Sequence, residues 1–180
     1  AITFSGSGGA LQYSGTNTKD YSAKILNSTA PVAIDVNGQS IVFTSSLAAS
    51  NIAGLTVENA VPGVGGLVLT ASNAYSGPTS VSTGATLNLG AGGSLPANSA
   101  VDVIGSLVAA TGNGGIGGIL TLGSGAVLSL VDQSTGSLTI GGGMIIGGAS
   151  AATIDLELNT NAGANDEITV SGGGALAFGA

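Results

Sequence analysis

The chain is written largely in triplets: an aliphatic residue, a polar or small one, and another aliphatic, followed by glycine, serine or asparagine. Leu55-Thr56-Val57, Leu87-Asn88-Leu89, Val101-Asp102-Val103, Leu120-Thr121-Leu122, Leu128-Ser129-Leu130, Leu138-Thr139-Ile140 and Ile168-Thr169-Val170 are instances. Ile34-Asp35-Val36, Ile154-Asp155-Leu156 and Leu176-Ala177-Phe178 extend the pattern toward both ends. Alternation at period 2 places the aliphatics on one face of a strand and the middle residue on the other. Glycines such as Gly90, Gly105, Gly123 and Gly136 stop the alternation before a strand grows long. A helix would need apolar residues at i, i+3 and i+4 over several turns, and no segment offers that. The triplets therefore predict an all-β chain of short strands.

Composition then selects among all-β architectures. Aromatics are 3% of the 180 residues and charged residues 6%, while 33 residues are Gly. A sandwich of this size draws on core aromatics and on outer faces that carry charge. A right-handed parallel β-helix, a solenoid, needs narrow rungs filled by stacked Val, Ile, Leu and Ala, tight bends of Gly, Asn and Ser, and outer faces that can be uncharged. That is the fold expected here. Gly-x-Leu openings recur at Gly105, Gly118, Gly136 and Gly174, which suggests coils of about 20 residues, some nine of them, stacked to about 40 Å. Residues 1–50 hold both Lys and four of the six aromatics; they read as an atypical or capping segment, with 51–180 as the coils of one continuous domain.

The same counts exclude chemistry. The chain has no Cys, His, Trp or Arg. It thus lacks an imidazole base, a thiol nucleophile and the usual zinc ligands. Lys19 and Lys24 face nine acids, for a net charge of −7, so no electrostatic footprint for nucleic acid exists. No apolar run is long enough to span a membrane as a helix. These exclusions predict a non-enzymatic protein without a cofactor.

One segment carries a specific pattern. Residues 65–90 read Gly-Gly-Leu-Val-Leu-Thr-Ala-Ser-Asn-Ala-Tyr-Ser-Gly-Pro-Thr-Ser-Val-Ser-Thr-Gly-Ala-Thr-Leu-Asn-Leu-Gly. Leu67, Leu69, Asn73, Tyr75, Gly77, Thr79, Val81, Gly84, Leu87 and Leu89 stand at the offsets of the autotransporter-associated β-strand repeat, also called the passenger-associated transport repeat, which this segment resembles. Ala71 stands where that pattern usually has Gly, and Pro78 where it usually has Gly or another small residue. Ile34 to Phe43, Val101-Asp102-Val103 and Asn165 to Val170 look like the rungs that flank such repeats. The resemblance implies a parallel β-helix in an exported bacterial protein, secreted or at the cell surface, and a structural role for the motif residues. Two roles are compatible with it. One is a stalk or a repeating unit of a fibre, matrix or surface layer, assembling end to end. The other is an adhesin or carbohydrate-binding module with a glycan or cell-surface ligand.

A few residues invite a site reading. Asp155 and Glu157 flank Leu156, and Asp166 and Glu167 follow after a loop; hard carboxylate oxygens would suit Ca²⁺. The pattern reads first as a solvated acidic face, and the Asp-bearing glycine repeat of calcium-binding β-helices is absent from Gly114 to Gly118. Asn73 and Tyr75 resemble a sugar-binding pair. They read first as structural: an Asn, which tolerates the left-handed region, bonding its own bend, and a Tyr covering the coil with its hydroxyl outward. The glycines from Gly141 to Gly148 lack the Lys and the helix of a phosphate cradle. Asn27-Ser28-Thr29 is a formal glycosylation sequon.

Overall fold

The computed structural model describes residues 1–109, 114–132, 134–158, 165–171 and 175–178. Among the described residues, seventeen short strands form three parallel sheets. The first stacks β1 (Ala10–Gln12), β2 (Val32–Asp35), β4 (Leu55–Glu58), β6 (Thr79–Val81), β8 (Val101–Val103), β11 (Ile119–Leu122), β14 (Gly143–Ile146) and β17 (Leu176–Phe178) in that order. The second stacks β3 (Ser40–Phe43), β5 (Gly66–Leu69), β7 (Thr86–Leu89), β9 (Ser106–Val108), β12 (Val127–Ser129) and β15 (Thr153–Asp155). The third holds β10 (Gly114–Ile116), β13 (Ser137–Ile140) and β16 (Glu167–Val170). Each strand pairs with the strand one coil away, and the chain winds into a parallel β-helix of about six turns. One 3-10 turn, Ser22–Lys24, interrupts the β structure of the described residues.

Register explains why aliphatics alone can fill the interior. Ile41, Leu67, Leu87, Leu107 and Leu128 stack in one column of the second sheet, and all are fully buried. Val57, Val81, Val103 and Leu122 form a column of the first sheet. Like side chains one coil apart sit at the strand spacing of about 4.8 Å, close enough for van der Waals contact along the whole column. The two buried Phe and two buried Tyr sit in the early coils, at Phe4, Phe43, Tyr13 and Tyr75.

The coils are longer and more variable than the expected 20 residues. Leu67 to Leu87 spans 20 residues, Leu55 to Thr79 spans 24, Val101 to Leu120 spans 19 and Met144 to Leu176 spans 32. The eight-strand stack rises roughly 34 Å at about 4.8 Å per step, not about 40 Å. The bends cause the difference: the hydrophobic columns fix strand length but leave the corners free to take extra residues. Residues 1–50, set apart by composition, contribute β1, β2 and β3 to the same sheets as later strands. Gly174 lies outside the described residues.

Corners are tight where one backbone rides on the next. A Cβ on Gly77 would lie 2.7 Å from the Gly54 nitrogen, and one on Gly117 would lie 2.1 Å from the Ala97 Cα. Gly77 has φ +93° as well, a conformation that side chains disfavour.

Candidate functional site

The repeat-like segment occupies one full coil: β5 supplies Leu67 and Leu69, the bend supplies Asn73, Tyr75 and Gly77, β6 supplies Thr79 and Val81, and Gly84 opens the turn to Leu87 and Leu89 in β7. All four leucines are buried in the core columns. The structure thus brings every motif residue together, and each makes contacts within the coil stack.

Asn73 is only 6% exposed. Its Oδ1 accepts from the Leu47 amide at 2.9 Å, in the coil before. Its Nδ2 donates to the carbonyls of Ala71 at 2.9 Å and of Ser94 at 3.0 Å, the second in the coil after. Asn73 does not use the left-handed conformation that Asn tolerates; among the described residues Asn27 and Asn37 are the non-glycine residues with positive φ. Its conformation leaves the amide free to span three levels, not merely to close its own bend.

Tyr75 also differs from expectation. Its hydroxyl points inward, and the residue is 1% exposed. The phenol hydrogen-bonds to Thr79 Oγ1, Thr79 Oγ1 to Ser99 Oγ at 3.0 Å, and Ser99 Oγ donates to the Ala100 carbonyl at 3.3 Å. Thr79 stands in an inward column between Leu55 and Val101. A buried hydroxyl there would be costly without partners, and Tyr75 and Ser99 supply them. Burial pushes the Tyr75 phenol far above its ordinary value, against the opposing pull of the Thr79 and Ser99 hydroxyls. Burial likewise pushes Tyr13 up to about 12, helped by the nearby Asp20 carboxylate.

Further Asn and Asp side chains repeat the Asn73 arrangement, and these the sequence reading missed. Asn51 accepts from the Ser28 amide at 3.1 Å and donates to the Ile25 and Ala48 carbonyls. Asn59 accepts from the Gly38 and Val61 amides and donates to the Val64 and Gly84 carbonyls. Asp35, expected on the outer face of its triplet, is buried. Its Oδ1 accepts from the amides of Asn37 and Ala60, both at 2.9 Å, and its Oδ2 from Gln12 at 2.7 Å. Asp20 accepts from Ser22 and, one coil on, from the Thr44 amide and hydroxyl. Partial burial works against the charge of Asp20 and Asp35. The hydrogen bonds outweigh it and hold both below the usual carboxylate value. No Asn period marks them: the Ser76 amide donates to the Asn51 carbonyl and the Ala74 amide to the Leu47 carbonyl, so Asn51 lies one level below Tyr75 and Asn73 one level above Leu47.

The four acids weighed as Ca²⁺ ligands do not converge. Asp155 and Glu167 are exposed. Asp166 is buried and spends one carboxylate oxygen on the Gly136 amide at 2.8 Å and the other on the Glu157 amide at 2.6 Å. Glu157 Oε2 accepts from the Asp132 amide, and Glu167 Oε1 from the Thr169 hydroxyl. Among the described residues no group of three or more acidic side chains is placed to hold a metal ion. Gly141 and Gly142 lie against the backbones of Gly117 and Gly118, which makes them corner residues of the stack.

Two surface grooves accompany these corners. One is lined by Asn73, Tyr75, Ser76, Pro96 and Asn98. The other runs past Ser72, Ser94 and Thr139 along the edge of the third sheet. No helix among the described residues is long and apolar enough to cross a membrane. No protein-family model, curated protein or solved structure matches the chain.

Proposed function

We propose that this chain is a non-enzymatic structural segment of an extracellular bacterial protein, a β-helical stalk or a repeating unit of a fibre, matrix or surface layer. The observation that carries the reading is how the buried polar side chains are used. Asn51, Asn59, Asn73, Asp35 and Asp166 direct their oxygens and amides to backbone groups of neighbouring levels. Such groups fasten one coil to the next. Contacts in a solenoid are nearest-neighbour, so each finished coil can template the one that follows, which suits a protein folding as it leaves the cell. The passenger-type repeat at 65–90 adds to this reading.

Stacking extends naturally. Leu176 and Phe178 stand in the columns of Met144 and Ile146 and are 53% and 76% exposed. A further coil, in the same chain or in another copy, would cover them in the same register, because an exposed parallel edge recruits a strand. Electron microscopy and sedimentation across a concentration series test the assembly. Rods that lengthen with concentration support end-to-end stacking, and monomers throughout refute it. A second reading, a glycan-binding module, draws on the outward column Thr56, Ser80, Asp102 and Thr121 of the first sheet. Binding on a glycan array would favour it over a purely structural role.

A further inference from the structure

The bend between β2 and β3 is built on Asn37 and Gly38, with φ +48° and +77°. Asn followed by Gly is prone to cyclise, because no side chain on the second residue shields its nitrogen. In that reaction the Gly38 nitrogen loses its proton and bonds to Asn37 Cγ. The Cγ–Nδ2 bond breaks and ammonia leaves. Water then opens the succinimide at one of its two carbonyls, giving aspartate or isoaspartate. Water is the only co-reactant.

Both reacting groups are held by neighbouring levels. The Gly38 amide donates to Asn59 Oδ1 at 2.8 Å. Asn37 Nδ2 donates to the Tyr13 carbonyl at 3.0 Å, and the Asn37 amide donates to Asp35 Oδ1 at 2.9 Å. Asn59 is itself buried and anchored, its Nδ2 donating to Val64 at 2.8 Å and to Gly84 at 3.2 Å. The coil above lies close over the bend: a Cβ on Gly38 would sit 3.1 Å from the Val61 Cβ. Attack requires the Asn37 side chain to leave Tyr13 and the Gly38 nitrogen to turn away from Asn59. Neither can happen while the levels on either side stay docked.

We propose that Asn37-Gly38 is a latent deamidation site held closed by the adjacent coils, with Asn59 occupying the attacking nitrogen. Separation of the second coil from the third exposes it. Isoaspartate would then lengthen the backbone by one methylene at a corner where Val61 already lies 3.1 Å from a Cβ placed on Gly38, and add a charge beside Asp35, so the bend could not close again in its old form. A transient loss of coil contact becomes a permanent covalent mark.

Peptide mapping by mass spectrometry, during incubation of the whole chain in mildly alkaline buffer, tests this through the gain of about one dalton at Asn37. Wild type should react at least about tenfold more slowly than the urea-unfolded chain, since reaction waits on local opening. Asn59→Ala should accelerate it. Asn51→Ala removes a comparable clamp elsewhere, from Ser28, Ile25 and Ala48, and should leave the Asn37 rate near wild type. Hydrogen exchange at the Gly38 amide of the unmodified protein needs no variant to fold, and should be slowed by a similar factor. A wild-type rate equal to the unfolded rate overturns the proposal, as does a Gly38 amide without protection. Equal acceleration by Asn51→Ala and Asn59→Ala assigns the effect to general unfolding and also overturns it.

Discussion

Replacing Asn73 with Ala isolates the contribution of one inter-coil clamp. The side chain makes three hydrogen bonds, and their loss is not equivalent. The carbonyl of Ser94 still accepts from the Asn73 amide, and that of Ala71 from the Ser94 amide. The Leu47 amide has Asn73 Oδ1 as its partner in a residue with no exposed surface. An orphaned buried N–H costs about 1–3 kcal/mol, and each bond lost at a carbonyl that keeps another donor adds about 0.5 kcal/mol. The expected destabilisation is therefore about 2–4 kcal/mol, at the upper end for a point substitution. Urea unfolding followed by circular dichroism should show the midpoint falling at unchanged slope, and the Leu47 amide should lose hydrogen-exchange protection more than its neighbours. Asn98 lines the same groove but is exposed, so Asn98→Ala should shift stability by less than about 0.5 kcal/mol. If Asn73→Ala matched Asn98→Ala, the clamp would not be a source of stability and the account of the motif Asn would be wrong.

Three other outcomes follow from the same geometry. Gly77→Ala forces a side chain into a left-handed residue and against the Gly54 backbone; it should cost about 2–4 kcal/mol. Gly125→Ala, with φ +73° but open space, should cost about 1 kcal/mol. Thermal unfolding of the pair separates contact from conformation. Asp20 and Asp35 ionise more readily in the folded chain than in the unfolded one, so their stabilisation is complete above the ordinary carboxylate value of about 3.9 and is lost as pH falls through their lower folded values. A urea midpoint that stays flat from neutral pH down to strong acid would refute this. For Tyr13 and Tyr75 the folded phenols hold their protons past the ordinary value. Stability should begin to fall as pH rises above about 10 and continue to fall until the folded phenols ionise. Tyr75→Phe, which removes the phenol from the hydroxyl chain, should cost about 1 kcal/mol and weaken that alkaline slope.

Much of the fold could be read from the triplets because a buried column demands an aliphatic at every other residue. Leu87-Asn88-Leu89, Val101-Asp102-Val103 and Leu138-Thr139-Ile140 all lie in strands with their outer residues buried. Coil length was harder to read, because it is set at the corners, where the extra residues between Phe43 and Leu55 carry no periodic signal. Asp35 misled the alternation: it is the polar member of a triplet and shares the column of Gln12 and Glu58, yet it is buried at the corner, where Asn37, Ala60 and Gln12 meet it. Tyr75 misled it in a different way. An inward phenol makes sense only with Thr79 and Ser99 beside it, and Ser99 lies 20 residues from Thr79, a proximity that only the winding of the chain creates.

The direction of the backbone hydrogen bonds has a mechanical consequence. They run from coil to coil, along the axis of the stack. Tension applied to the two ends of a β-helix therefore strips the terminal coil while the coils behind it remain loaded but intact. The coil from Leu55 to Thr79 adds about 4.8 Å to the folded height, yet its 24 residues pay out roughly 80 Å when extended. Under load each coil would lengthen more than tenfold as it is released, with a sawtooth whose peak force does not grow with the number of coils. It would yield in increments and re-wind when the load is released, because the next exposed edge is always a template.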